Sequence, residues 1–87
     1  MYALKYTKKA EKDFVKLRHE KVLLAKAYEL IRIIRENPFQ NPPPYEKLIG
    51  DWSGACSRRI NIQHRLVYTV DKQNNEITIH SAWSHYE

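Results

Sequence analysis

All four prolines of this 87-residue chain, Pro38, Pro42, Pro43 and Pro44, fall within seven consecutive positions, and no other feature constrains the fold as strongly. A proline has no N–H to give to a ladder, and its ring clashes with the preceding helical turn. The stretch can therefore neither extend a helix nor enter a central strand. It reads as a stiff surface loop over residues 37–46, and the apolar periodicity differs on its two sides.

Before the loop the period is helical. Ala10, Phe14 and Leu17 recur at helical spacing between lysines and acids, which predicts a helix over 8–19 with one buried stripe and Thr7 as its N-cap. Leu23, Ala27, Leu30, Ile31 and Ile34 predict a second helix over 20–36, stopped where Asn37 precedes Pro38. A short aromatic segment over 2–6 reads as a strand leading into this helical hairpin. After the loop the period is two. Gly50 and Gly54 bracket a turn, and strands are predicted over 56–62, 64–70 and 76–83, with a polar turn at 71–75.

The order β, α, α, β, β, β buries its apolar faces only if both helices cover one side of the sheet. This predicts an α+β domain: an N-terminal strand, then a two-helix hairpin packed on one face of a small, mainly antiparallel sheet. Eighty-seven residues leave no room for a second core, so residues 1–87 are read as a single domain. At 43% hydrophobic and 29% charged residues, the composition is that of a folded chain rather than a disordered one.

Cys56 is the only cysteine, which excludes an intramolecular disulfide and points to a reducing, cytoplasmic setting. No apolar run approaches the roughly 18 residues that span a bilayer, and residues 1–9 mix lysine with tyrosine, unlike a signal peptide. A soluble protein with no membrane partner is expected.

The formal charge is +5, and its excess lies in residues 1–36, where ten Lys and Arg face five acids; residues 37–87 hold five of each. An anionic partner is expected. Within the balanced half, Arg58, Arg59 and Arg65 fall in eight positions on two strands that should pair. If Ile60, Ile62, Leu66, Tyr68 and Val70 face the helices, alternation sends Arg59 and Arg65 to the open face of the sheet. Two guanidiniums side by side repel unless an anion lies between them, and each has a planar fork suited to phosphate. The alternative is that they pair with acids such as Glu46 or Asp51. Arg58 falls on the apolar parity and is expected to snorkel to the edge.

Glu46 closes the proline loop, with Leu48 behind it as an anchor. Beside arginines it suits a general base, although arginines also favour its ionised form, and a solvated loop acid is the other reading. His85 lies just beyond the last strand, where a near-neutral imidazole can protonate a leaving group. Its parity is that of Ile77 and Ile79, so the strand must end or twist first; otherwise Ser84 to Glu87 are a polar tail. His64, His80 and His85 lack metal-ligand spacing, no second cysteine assists them, and no glycine-rich phosphate loop occurs. No metal or other cofactor is expected. Cys56 lacks an adjacent base and reads as structural, and Tyr68 reads as core, with Trp52 and Trp83 as candidates for base stacking.

Taken together, Glu46-Lys-Leu, Ser57-Arg-Arg-Ile60, His64-Arg-Leu-Val-Tyr68 and His85-Tyr86 give the chain, over its whole length, a pattern that resembles the Txe/YoeB family of bacterial toxins. The resemblance implies a RelE-like fold and an endoribonuclease that cuts mRNA in the ribosomal decoding site, restrained by a cognate antitoxin. Residue by residue it implies Glu46 as general base, Arg59 and Arg65 as phosphate ligands with Arg58 beside them, and His85 with Tyr86 as a C-terminal catalytic pair. Attack by an RNA 2′-hydroxyl on the adjacent phosphate needs no metal. The implied partners are the antitoxin, the ribosome and mRNA, with DNA reached only through the antitoxin complex and homodimerisation left open. Three positions depart from the pattern. Cys56 stands where many relatives carry an aromatic residue, Trp52 lies shortly upstream, and Ile49 replaces a common basic residue.

Overall fold

The structure, a computed structural model, describes residues 1–83. It opens with strand β1 (Ala3–Tyr6) and helix α1 (Lys8–Leu17). Thr7 is the N-cap: its backbone is extended, and its hydroxyl accepts the Ala10 N–H at 3.1 Å, satisfying a donor the first turn would otherwise leave free. The buried face of α1 is Ala10, Asp13, Phe14 and Leu17. Helix α2 (Lys21–Glu36) buries Ala27, Leu30, Ile31 and Ile34. It ends where Asn37 takes up the extended backbone that a following proline imposes.

Beyond the proline segment come β2 (Glu46–Lys47), a single 3-10 turn (Gly50–Trp52), β3 (Ala55–Arg59), β4 (Arg65–Asp71) and β5 (Glu76–Ser81). The sheet order is β1-β5-β4-β3-β2. Neighbours are antiparallel except that β1 runs parallel to β5, with Leu4 opposite Ile77 and Tyr6 opposite Ile79. Both helices pack on one face. There Cys56, Ile60, Leu66, Tyr68, Ile77 and Ile79 meet the apolar stripes of α1 and α2 in one core.

The predicted α+β layer is the observed one, with two refinements of its sheet. A short strand, β2, forms where only loop was expected, so Glu46 stands on the edge of the sheet. The strand predicted over 56–62 stops at Arg59, because the Asn61 side-chain carbonyl accepts the N–H groups of Gln63 and His64 and turns the chain. Ile62 therefore does not face the helices; it stands at the turn, 92% exposed. The glycines are used as expected, with Gly50 and Gly54 at φ +71° and +95°, where a Cβ is strongly disfavoured. No helix of the described residues is long and apolar enough to cross a membrane.

Candidate functional site

The face of the sheet away from the helices carries the site. The register sets Arg59 of β3 directly opposite Arg65 of β4, and Ser57 opposite both Val67 on β4 and Glu46 on β2. Period-two alternation thus brings Glu46, Ser57, Arg59 and Arg65 to one surface. With Pro44 and Tyr45 they line an open cleft.

Within it, Arg65 donates from Nη1 to Glu46 Oε1 at 2.7 Å and to the Ser57 hydroxyl at 3.4 Å. The glutamate is the more accessible partner, its side chain 68% exposed against 23% for the arginine. Arg59 is exposed and has no ion-pair partner among the described residues. Like charges directly opposite on paired strands repel, and Glu46 neutralises only one of the two. The cleft, which both arginines line, keeps one uncompensated positive charge, and an anion bound there would relieve the repulsion. The sequence alternatives of phosphate site and Glu46 pairing are therefore not exclusive: the geometry presents the pair and a free cation together.

Glu46 is held from both sides. Downstream, the Leu48 N–H bonds to the Ala55 carbonyl at 2.9 Å, and the Leu48 side chain packs with Ala55 and Val67 in a small cluster on this face, separate from the main core. Upstream, the proline segment is fastened by Arg58. This residue corrects the sequence expectation: it does not snorkel to the edge, and its burial keeps it from reaching an anion on the open face. Arg58 is fully buried on the helix-facing side of β3, with its donors spent on the Tyr68 hydroxyl and on the carbonyls of Pro38, Gln40 and Pro43. The core parity was right, and what it packs against supplied the partners.

Burial pushes the Tyr68 hydroxyl up to about 12, outweighing the Arg58 hydrogen bond that favours its ionisation. It stays protonated and passes its own hydrogen to the Pro38 carbonyl at 2.7 Å. Burial likewise raises the Cys56 thiol, which keeps it in the un-ionised, poorly nucleophilic form.

Two residues unclaimed by the sequence reading organise the end of β5. Asp13 is 3% exposed, and its Oδ2 accepts the N–H groups of Ala82 (2.9 Å) and Trp83 (3.3 Å) together with Lys9 Nζ (2.9 Å). An acid one position from Phe14, on the stripe formed by Ala10, Phe14 and Leu17, was the available signal. His64 is buried, and its ring stacks on Trp83 with centroids 4.4 Å apart. Nearby His80 bonds Thr69 at 2.9 Å and meets the Trp52 ring edge-on, and burial pushes its imidazole below the usual value. Among the described residues no group of His, Cys, Asp or Glu has the arrangement of a metal centre. Strand β5 ends at Ser81, two residues short of the expected 83. The expected pair His85 and Tyr86 lies outside the described residues.

A helical pair on one face of this mixed five-stranded sheet, with the other face left open, is the RelE-like architecture. More narrowly, the chain belongs to the YoeB-like toxins of bacterial type II toxin-antitoxin systems, whose family profile matches residues 6–86. It is 39% identical over 69 residues to a Toxin YoeB from Synechocystis, covering 79% of this chain and 78% of that one. Among solved structures it superposes on a YoeB-YefM complex from Staphylococcus aureus with a TM-score of 0.84, 35% identity and 99% of both chains covered. A YoeB dimer from the same organism gives 0.85 at 36% identity, with 98% of each chain covered.

Proposed function

We propose that this toxin is an endoribonuclease that cleaves mRNA in the decoding site of the ribosome, by attack of an RNA 2′-hydroxyl on the neighbouring phosphodiester. The observation that carries the reading is the Glu46–Arg65 contact with Arg59 directly opposite, a carboxylate and two guanidiniums on one open face. A base and an anion clamp at hydrogen-bonding separation are what the reaction requires. As the phosphate enters, its oxygens take over the Arg65 fork, and Glu46 is released toward the 2′-hydroxyl. Glu46 removes that proton, and the 2′-oxygen bonds to phosphorus while Arg59 and Arg65 neutralise the developing charge. The bond to the 5′-oxygen breaks, and His85, supported by Tyr86, supplies the proton. One fragment then ends in a 2′,3′-cyclic phosphate and the other begins with a 5′-hydroxyl.

The basic surface of residues 1–36 suits ribosomal RNA, with binding that weakens as salt rises. By analogy with the YoeB-YefM complex, an antitoxin of the producing cell restrains the activity, and DNA is reached only through that complex. The YoeB dimer supports a homodimeric state in the same way. The cytoplasm, where mRNA is translated, is the proposed site of action.

The test is cleavage of mRNA bound to purified ribosomes, with the fragment ends sequenced. Cuts confined to the decoding-site codon, lost in Glu46→Ala and His85→Ala and abolished by a 2′-deoxy substitution at the cut position, are expected. Cleavage of the deoxy-substituted position refutes the mechanism. Folded, ribosome-bound wild type that makes no cut refutes the enzyme and leaves an RNA-binding module using the same cations.

A further inference from the structure

Arg58 is a buried cation that no carboxylate of the described residues pairs with. Such a group is normally unfavourable to folding, so its retinue needs an explanation. The guanidinium donates from Nε to the Tyr68 hydroxyl (3.0 Å), from Nη1 to the Pro43 carbonyl (2.6 Å), and from Nη2 to the carbonyls of Gln40 (2.8 Å) and Pro38 (3.1 Å). The Tyr45 ring covers its plane at 4.9 Å. Three backbone carbonyls, a phenol oxygen and a π face replace a counter-ion.

The acceptors span residues 38–43, the segment least able to hold itself in place. Prolines at 38, 42, 43 and 44 lack N–H groups, so this backbone cannot fasten to a strand through a ladder, yet its inward carbonyls still need donors. One planar fork serves three of them at fixed angles. A lysine ammonium, a point charge on a flexible stem, does not reproduce that geometry. The clamped segment leads directly through Pro44 and Tyr45, both lining the cleft, to Glu46. Arg58 is also adjacent to Glu46 through the ladder, since Ser57, the residue before it on β3, is the one that pairs with Glu46.

We propose that Arg58 is a positioning residue: by clamping the proline segment and the Tyr45 ring it sets the place of the Glu46 carboxylate against Arg65, without touching substrate. The inference rests on the nuclease reading for its catalytic consequence, whereas the clamp itself is measurable without activity.

The experiment compares wild type, Arg58→Met, Arg58→Lys and Tyr68→Phe, each also in a Glu46→Gln background, in single-turnover cleavage on saturating ribosomes. Backbone amide exchange of β2 is measured in parallel. For Arg58→Met the expected result is a cleavage rate about 10- to 100-fold lower, faster exchange confined to the proline segment and β2, and unchanged ribosome affinity and salt dependence. In the Glu46→Gln background the same change has no further effect, because a residue that acts only through Glu46 has nothing left to position. Arg58→Lys does not restore the rate. Equal losses in both backgrounds, or weaker binding with a shallower salt dependence, overturn the proposal in favour of direct phosphate contact. Unchanged β2 exchange overturns it outright. Should Arg58→Met fail to fold, Tyr68→Phe, which removes two of the hydrogen bonds, carries the same coupling with a loss of about 2- to 5-fold. If wild type makes no cut, the nuclease reading falls, and β2 exchange alone decides whether Arg58 holds Glu46.

Discussion

Asp13→Ala tests how the far end of the sheet is fastened to the helices. In the wild type one carboxylate oxygen satisfies two backbone N–H groups, those of Ala82 and Trp83, in a region where Ala82 is fully buried. Alanine leaves both donors without a partner. An unsatisfied buried donor costs about 1–3 kcal/mol, and the Trp83 bond, longer and only partly buried, belongs at the lower end. The Lys9 ion pair adds little, because the lysine side chain is 59% exposed and a solvent-screened pair contributes about 0–1 kcal/mol. The sum is a loss of about 2–5 kcal/mol, which for a domain of this size lowers Tm by roughly 8–40 °C. Asp13→Asn keeps a carbonyl oxygen for the same two donors and should lose only about 1–2 kcal/mol. The assay is equilibrium unfolding in guanidinium chloride, followed by tryptophan fluorescence and far-UV circular dichroism, with coincident transitions required. An alanine variant within about 1 kcal/mol of wild type refutes the reasoning, since water would then be serving those N–H groups.

Three other outcomes follow from the same structure. Thr7→Ala removes the side-chain acceptor of the Ala10 N–H and should cost about 1 kcal/mol in chemical denaturation, whereas Thr7→Asn should cost less. Tyr68 titrates near 12 in the folded protein against 10 when free, so its contribution is complete below pH 10 and is lost as pH rises through 12. Stability measured between pH 9 and 12 should therefore fall less steeply in Tyr68→Phe than in wild type, the difference removing the parallel effect of Tyr6, which burial also raises. For His80 the sign is opposite. Burial favours the neutral ring, so its stabilisation is present above the free value of 6.5 and is lost as pH falls below it, and His80→Asn should flatten the stability profile between pH 7 and 5. An unchanged slope in that window would show that the ring charges without disturbing its bond to Thr69.

Much of the site was legible because alternation is a local rule. Once Leu66 and Tyr68 face the helices, Arg65 must face away, and the same argument on β3 sends Arg59 to the same side; their direct opposition then follows from the hairpin register. Thr7 was legible for the same reason, since a helix cap involves residues three apart. Periodicity names a face but says nothing about what covers it. Arg58 falls on the core parity, but alternation cannot give its role, because its acceptors lie 10 to 20 residues away in sequence. Asp13 looks from sequence like one more helix acid, because the backbone N–H groups it accepts sit 69 and 70 residues downstream.

The amino-acid order by itself determined the two helices, the hairpin strands, the break at the prolines and the side of the sheet on which Arg59 and Arg65 stand, since each depends on steric and hydrophobic rules that act within a few residues. Tertiary structure alone decided that β1 lies parallel to β5, that Glu46 reaches Arg65, that Arg58 is spent on the proline carbonyls and that Asp13 ties down the end of β5. Each joins groups far apart in sequence, and their partners come into reach only when the chain has closed around them.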